Sequence, residues 1–278
     1  MARVDRPTKP LGRKAYGSIG HLLQSRLGPG DHHISPGQAR ICLEEARDRH
    51  DGIVVQEKLD GCCVAVAKLK GEIVALNRAG YPAETSRWEH HRIFAQWVER
   101  HEERFDLLLK EGERVVGEWL ALAHGTRYKL WHDPFVPFDI MVGQERKLTE
   151  EVYERVRAVG FEPPRLLHKG GPLPLEEAIA VLKQPWHGNL DPGEGVVYRV
   201  ERKGKVDFLA KWVRPDKIDG YYLPELSGKP AIWNWHPSGV QTCGHPYSAL
   251  KNSDEGTLYY SDCERAALAE KQQIEEAV

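Results

Sequence analysis

Along the chain, the first repeating pattern of apolar and polar positions begins only after residue 31. The stretch before it is rich in Gly, Pro and charge, which predicts an irregular segment wrapped on something larger. At Ser35-Pro36-Gly37-Gln38 a helix start is expected: Ser35 caps, Pro36 takes the first helical position and Gln38 closes the capping box. That helix is expected to reach about His50. Short β-branched or alternating runs follow at residues 52–57, 62–67 and 73–76, with a turn at Lys70-Gly71, and they predict a meander of strands. Between Thr85 and Phe105, Trp88, Phe94, Trp97, Val98 and Phe105 recur at broadly helical spacing in a charged background, predicting one amphipathic helix.

Strand character returns at 114–120 and 136–141. A helix is expected from Thr149 to Val159, with acidic residues in its first turn and Gly160 just past its end, and a shorter one from Leu175 to Lys183. The last strands, 194–200 and 206–213, are joined by Arg202-Lys203-Gly204-Lys205 as a hairpin. Hairpin-length connections argue against crossover units, so the expected class is α+β with largely antiparallel sheets flanked by helices. After about Glu225 the composition shifts to Trp, His, Pro and Ser before a helical tail from Asp262. Two units are therefore expected, 1–225 and a short extension 226–278.

Composition narrows the function. The 278 residues carry 39 Lys+Arg against 41 Asp+Glu, a formal charge of -2, so any contact with nucleic acid must come from a local patch. No run approaches the ~18 apolar residues of a membrane span. The basic start lacks the apolar core of a secretory signal, and five cysteines without framework spacing point to reduced thiols; a cytoplasmic protein is expected.

The most informative segment is Glu57-Lys58-Leu59-Asp60-Gly61. A lysine ending an apolar strand is poorly solvated, but it attacks only when deprotonated, and Asp60 two residues on would raise its pKa. If Lys58 is a nucleophile, a metal ion or another cation must offset Asp60; the bland alternative is an exposed ion pair before a Gly turn. Further features follow in order: Asn77-Arg78-Ala79-Gly80, Gly117-Glu118-Trp119, Phe138-Asp139-Ile140, Glu194-Gly195-Val196-Val197-Tyr198-Arg199 and Ala210-Lys211-Trp212-Val213. An acidic residue inside an apolar strand, as at Glu118 and Glu194, needs a partner. Phe138 can equally be core, and Arg78 a surface charge near a turn.

This ordered set, from about Tyr16 to Val213, resembles the covalent nucleotidyltransferase superfamily of ATP-dependent ligases and mRNA capping enzymes, and within it the RNA ligases. The resemblance implies that Lys58 attacks the α-phosphorus of ATP and expels pyrophosphate. It places Glu57 and Asp60 beside the nucleotide, Arg78 on its ribose or phosphates, Glu118 on its sugar, Phe138 on the adenine face and Lys211 on the α-phosphate. Asp60 and Glu194 would hold Mg2+ (or Mn2+). The AMP would then pass to a 5′-phosphate RNA end, to be displaced by a 3′-hydroxyl; no protein partner is implied. Readings left open are a capping-type guanylyltransferase and a protein that binds RNA ends or nucleotide without sealing.

Two departures stand out. Relatives often carry two lysines one residue apart in the last motif, whereas Lys211 is flanked on its strand face by Leu209 and Val213. Arg214 or Lys217 would have to supply the missing charge; otherwise the first step, adenylylation, is weakened. The residues after Leu226 also look too short for the oligonucleotide-binding barrel of DNA ligases and capping enzymes, which favours an RNA ligase. Arg78, Arg127, Lys129, Arg199 and Arg214 are the candidates for a basic RNA surface. His236, Cys243, His245 and Cys263 lack the close pairing of structural zinc ligands, Trp233 and Trp235 are expected to pack rather than stack on bases, and the 13 histidines, His90-His91 and His32-His33 among them, form no recognisable ligand set.

Overall fold

In the computed structural model, residues 7–184, 186–237, 250–252 and 258–260 are described. Two five-stranded sheets carry the fold. The first holds β2 (Asp51–Lys58), β8 (Leu166–Gly170), β9 (Gly195–Arg202), β10 (Lys205–Val213) and a two-residue β1 (Gly20–His21), in the order β1-β10-β9-β2-β8. The second orders β3 (Cys62–Leu69), β4 (Glu72–Asn77), β5 (Glu113–Trp119), β6 (Phe135–Val142) and β7 (Glu145–Arg146) as β4-β3-β5-β6-β7. Every pairing in the two sheets is antiparallel except that of β1 with β10. The expected α+β class with largely antiparallel sheets is what the chain adopts.

Strand alternation decides where the sheets face. On β2, β9 and β10, Ile53, Val55, Val196, Tyr198, Val200, Ala210 and Trp212 bury against α1 (Pro36–Leu43) and α5 (Leu175–Leu182). Their alternates Gln56, Lys58, Val197, Arg199, Leu209 and Lys211 line a cavity on the opposite face. The second sheet divides the same way: Val64 and Val66 pack under α2 (Glu89–Arg100), α3 (Glu102–Leu108) and α4 (Thr149–Ala158), whereas Ala65 and Ala67 pack with Tyr16, Leu76, Val116 and Met141. Of the three two-residue hairpins, two use a lysine-glycine pair at positive φ, Lys70-Gly71 at 55° and 80° and Lys203-Gly204 at 50° and 76°, the geometry that matches strand twist.

Three expectations are corrected. The first helix has its capping box at Ser35 and Gln38 but stops at Leu43, because the charged residues that follow are drawn into ion pairs with the strands, Arg47 with Asp51 and Asp207, and Asp48 with Arg202. The single helix expected from Thr85 to Phe105 is a 3-10 turn followed by α2 and α3. His101 breaks it at φ -120°, its ring stacked on Trp97 and its Nδ1 2.7 Å from the Trp97 carbonyl oxygen. β8 was missed altogether, since Leu166-Leu167-His168-Lys169-Gly170 does not alternate and pairs only along one edge. The expected tail helix from Asp262 lies outside the described residues, as do Cys243, His245 and Cys263.

Candidate active site

Lys58 closes β2, and its ladder partner is Gly195, the first residue of β9. That register delivers Glu194 to the ammonium, which donates a hydrogen bond to Glu194 Oε2. Only glycine fits at 195, where a Cβ would stand 1.9 Å from the Trp212 carbonyl oxygen. After Lys58 the chain turns through Asp60-Gly61 into β3. The Asp60 N–H donates to the Tyr128 hydroxyl at 3.0 Å and the Gly61 N–H to Glu118 Oε1 at 3.0 Å, so Glu118 of β5 is held against the turn. Glu57, pointing the other way along β2, is buried and accepts one bond from Asn189 Nδ2 at 3.2 Å.

The missing second cation is Lys217. Its ammonium donates to Asp60 Oδ1 at 3.0 Å and to Glu194 Oε1, with Asp219 3.6 Å away. Arg214 instead pairs with Asp216 at 2.7 Å. The sequence left these two as equal alternatives, because β10 ends at Val213 and only the turn after it decides which side chain comes back; Lys217 returns through an N–H bond to the Arg214 carbonyl. Lys211 also faces the cavity, its ammonium 3.7 Å from Asp31 Oδ1.

The charges are strongly coupled. Burial favours the neutral amine of Lys58, but Glu194, Glu118 and Asp60 outweigh it and raise its pKa. Without a ligand, then, Lys58 is an ammonium and not a nucleophile. Burial, joined by Glu194 against the opposing pull of Lys58, lifts the Glu118 carboxyl to about 7, and burial alone lifts Glu57 to about 7 against its Asn189 bond. Asp60 is raised by burial and by Glu194, while Lys58 and Lys217 overcome burial at Glu194 and lower it. Lys211 is lowered by burial and by Lys58.

These groups line a cavity of about 720 Å3 between the two sheets. All eight residues singled out in the sequence come to its wall: Glu57, Lys58, Asp60, Arg78, Glu118, Phe138, Glu194 and Lys211. Phe138 is half-buried, one edge meeting Tyr16 with ring centres 5.3 Å apart, so it serves the core and the wall together. Arg78 is exposed and reaches back to the Gly17 carbonyl at 3.3 Å. Of the basic surface candidates, Arg199 is withdrawn: it is 1% exposed and pairs with Asp139 at 2.5 Å. Arg127 pairs with Asp191 at 2.9 Å, and Lys129 is exposed. Trp233 and Trp235 pack onto the α2–α3 core, as expected, and Asn234 bonds the Leu120 carbonyl and the Tyr128 N–H. Tyr128, Thr126 and Asn189, which brace Asp60 and Glu57, had no signal in the sequence, because they lie on loops far along the chain.

Asp60 and Glu194 are the pair most suited to a metal. They already share one cation, the Lys217 ammonium, so the position between them is shaped for positive charge, and two carboxylates offer the hard oxygen donors that Mg2+ and Mn2+ take.

A lysine that closes a strand, flanked by carboxylates, thus faces a cavity between two antiparallel sheets. Residues 51–213, more than half of the chain, match the family described as RNA ligase. The chain belongs to that family. No curated protein sequence matches it significantly. Among solved structures it is similar to an archaeal ATP-dependent RNA ligase (20% identity, 71% of this chain and 48% of that one, TM-score 0.41). It is similar too to a putative ATP-dependent DNA ligase from Aquifex aeolicus (16% identity, 71% and 49%, TM-score 0.45). A Naegleria gruberi RNA ligase solved with PPi is a third (15% identity, 78% and 63%, TM-score 0.47). The chain spans about half the length of the first two.

Proposed function

We propose that the chain is an ATP-dependent RNA ligase that works through a lysyl-AMP intermediate. The observation that carries this reading is the convergence on one cavity wall of Lys58, Asp60, Glu118 and Glu194, all inside the segment that matches the family, with Lys217 just past its end. In the first step the neutral Lys58 amine attacks the α-phosphorus of ATP. A P–N bond forms, the bond to the β-phosphate oxygen breaks, and pyrophosphate leaves with the electron pair. In the second, a 5′-phosphate oxygen of RNA displaces the lysine, which recovers its amine. In the third, the 3′-hydroxyl attacks that phosphate, losing its proton, and AMP departs.

The fields in the cavity explain why ATP and metal would arrive together. A divalent cation held by Asp60 and Glu194 would supply charge neutralisation at the phosphates. A cation held there would offset the negative field of those carboxylates, which otherwise keeps Lys58 protonated. Lys217, no longer needed between the carboxylates, can then face developing charge on the leaving pyrophosphate, and Lys211 the α-phosphate. Phe138 offers a ring face to the adenine, and Arg78 and Glu118 polar contacts to the rest of the nucleotide. Glu57 is placed beside them. In this reading residues 1–225 carry the chemistry and the segment from 226 is an extension. The substrates are RNA ends with 5′-phosphate and 3′-hydroxyl.

Intact mass after incubation with ATP and magnesium tests the first step: one AMP should add to the chain, and none to folded Lys58→Ala. A full-yield adduct on that variant sinks the assignment of the nucleophile. An adduct with GTP but not ATP would move the reading to a guanylyltransferase, and an adduct without sealing of nicked or single-stranded RNA would leave a nucleotide-charged binding protein.

A further inference from the structure

Beside the carboxylate–lysine centre stands a group of donors of different chemistry. Cys62 opens β3, and His90 and His91 sit in the first turn of α2. One ligating atom of each, a sulfur and two ring nitrogens, lies within 4.8 Å of the others. Residues adjacent in a helix normally diverge by about 100°, yet these two imidazoles stand with ring centres 4.4 Å apart, turned together toward the thiol. We propose that Cys62, His90 and His91 bind a thiophilic divalent cation, Zn2+.

The geometry supports this in three ways. A tetrahedral Zn2+ with ordinary bond lengths sets its sulfur and nitrogen ligands roughly 3.3–3.6 Å apart. The Cys62 Sγ to His91 Nε2 distance is 3.0 Å, so an ion between the donors asks for movements of about an ångström or less. His91 also has the outer partner of a metal-bound imidazole: its Nδ1 lies 2.7 Å from Ser86 Oγ, and with the proton on Nδ1 the Nε2 lone pair faces the thiol. Close by, His124 Nε2 is buried with no hydrogen-bond partner among the described residues, its ring centre 5.9 Å from that of His90.

The donor set separates this site from the Asp60–Glu194 pair. Sulfur and imidazole select Zn2+ and exclude Mg2+, which takes oxygen. Left alone, the Cys62 thiol stays protonated, since burial and Glu118 raise its pKa, and a bound dication reverses that balance. The ion would pin the start of α2 to β3 two residues beyond Asp60, at a wall of the cavity that Cys62 and His91 both line. The inference rests on this geometry and not on the ligase reading.

Cobalt titration of the chelator-stripped full chain tests it. We expect the intense visible bands of tetrahedral cobalt together with a thiolate-to-cobalt charge-transfer band, saturating at one equivalent, abolished by Zn2+ and untouched by Mg2+. Cys62→Ser should remove the charge-transfer band and weaken Zn2+ about ten-fold or more, while Ser86→Ala keeps the band and weakens Zn2+ about ten-fold. Cys63→Ser is the matched control, because Cys63 packs on the opposite face of β3. No band, or a band that survives in Cys62→Ser, overturns the proposal. Should Cys62→Ser fail to fold by circular dichroism, His90→Ala and His91→Ala decide: unchanged cobalt affinity in both overturns it as well.

Discussion

Two buried ion clusters sit between the same sheets and are built to opposite ends. In one, Asp139 of β6 accepts the Tyr16 hydroxyl at 2.7 Å, Arg146 at 3.2 Å and Arg199 of β9 at 2.5 Å, and Arg199 donates a further bond to the Lys147 carbonyl at 2.9 Å. In the other, Lys58 and Lys217 share Glu194, Asp60 takes the second bond of Lys217, and Glu118 stands by on a backbone N–H. The closed cluster uses arginine, whose charge is permanent and whose planar fork fixes geometry. The open one uses lysine, whose charge depends on its surroundings. Arg199 reaches the cavity wall too, but its charge is fixed, whereas the charge of the two lysines answers to what surrounds them.

The sharpest way to break this contrast is to remove one member of each cluster. Lys58→Ala should reduce adduct formation to background while leaving the melting temperature nearly unchanged, because its neighbours keep Lys217 and solvent. Asp139→Ala should do the reverse. It takes the nearer carboxylate from a fully buried Arg199, leaving it Glu201 at 3.4 Å, and removing one partner of a buried pair costs about 3–5 kcal/mol. Chemical denaturation of the two variants side by side measures it, and an Asp139→Ala chain as stable as the parent would refute the distinction.

Lys217→Met comes next. Loss of a cation from a partly desolvated phosphate site typically costs a few kcal/mol, so single-turnover adenylylation should slow by about 100-fold. The same change unmasks the Asp60–Glu194 pair, and the magnesium concentration giving half-maximal rate should fall. Rate and metal requirement therefore fall together. An unaltered rate would reduce Lys217 to an internal ion pair.

Which parts were legible beforehand follows from range. Strand alternation exposed β2, β3, β9 and β10 and both Lys-Gly hairpins, since those signals are local. The ordered residues from Lys58 to Lys211 mark the cavity wall because each lies on a strand or within two residues of a strand end. Lys217, Tyr128 and Asn189 ride on turns, and their direction is set by tertiary contacts that no short pattern carries. The pairing of Cys62 with His90 and His91 was hidden for the same reason: 28 residues separate Cys62 from His90, and α2 was merged with α3 into one helix. Even the buried Arg199 had looked like surface, as the partner that buries it, Asp139, lies 60 residues back.

The smallest expected effect concerns Glu57, which belongs to neither ion cluster. Burial raises its carboxyl to about 7; among the described residues its one bonded partner is Asn189, and its other oxygen has none. His187 Nε2 lies 4.0 Å away but is itself held neutral by burial and by His132, its pKa lowered to about 3, so it offers no countercharge. The folded state thus holds a proton that the unfolded chain gives up. Below about pH 4 Glu57 is protonated in both states and costs nothing. As pH climbs from about 4.5 toward 7 the unfolded chain ionises first, and stability drains away by at most ~3 kcal/mol, levelling once the folded carboxyl ionises too. Glu57→Gln keeps the shape and the Asn189 contact while removing the titration. Its stability relative to the parent should therefore rise between pH 5 and 7.5 and then flatten, as read from urea unfolding at each pH. Parallel stability curves for the two proteins would show that Glu57 is ionised and paired in the fold, and would join it to the open cluster instead.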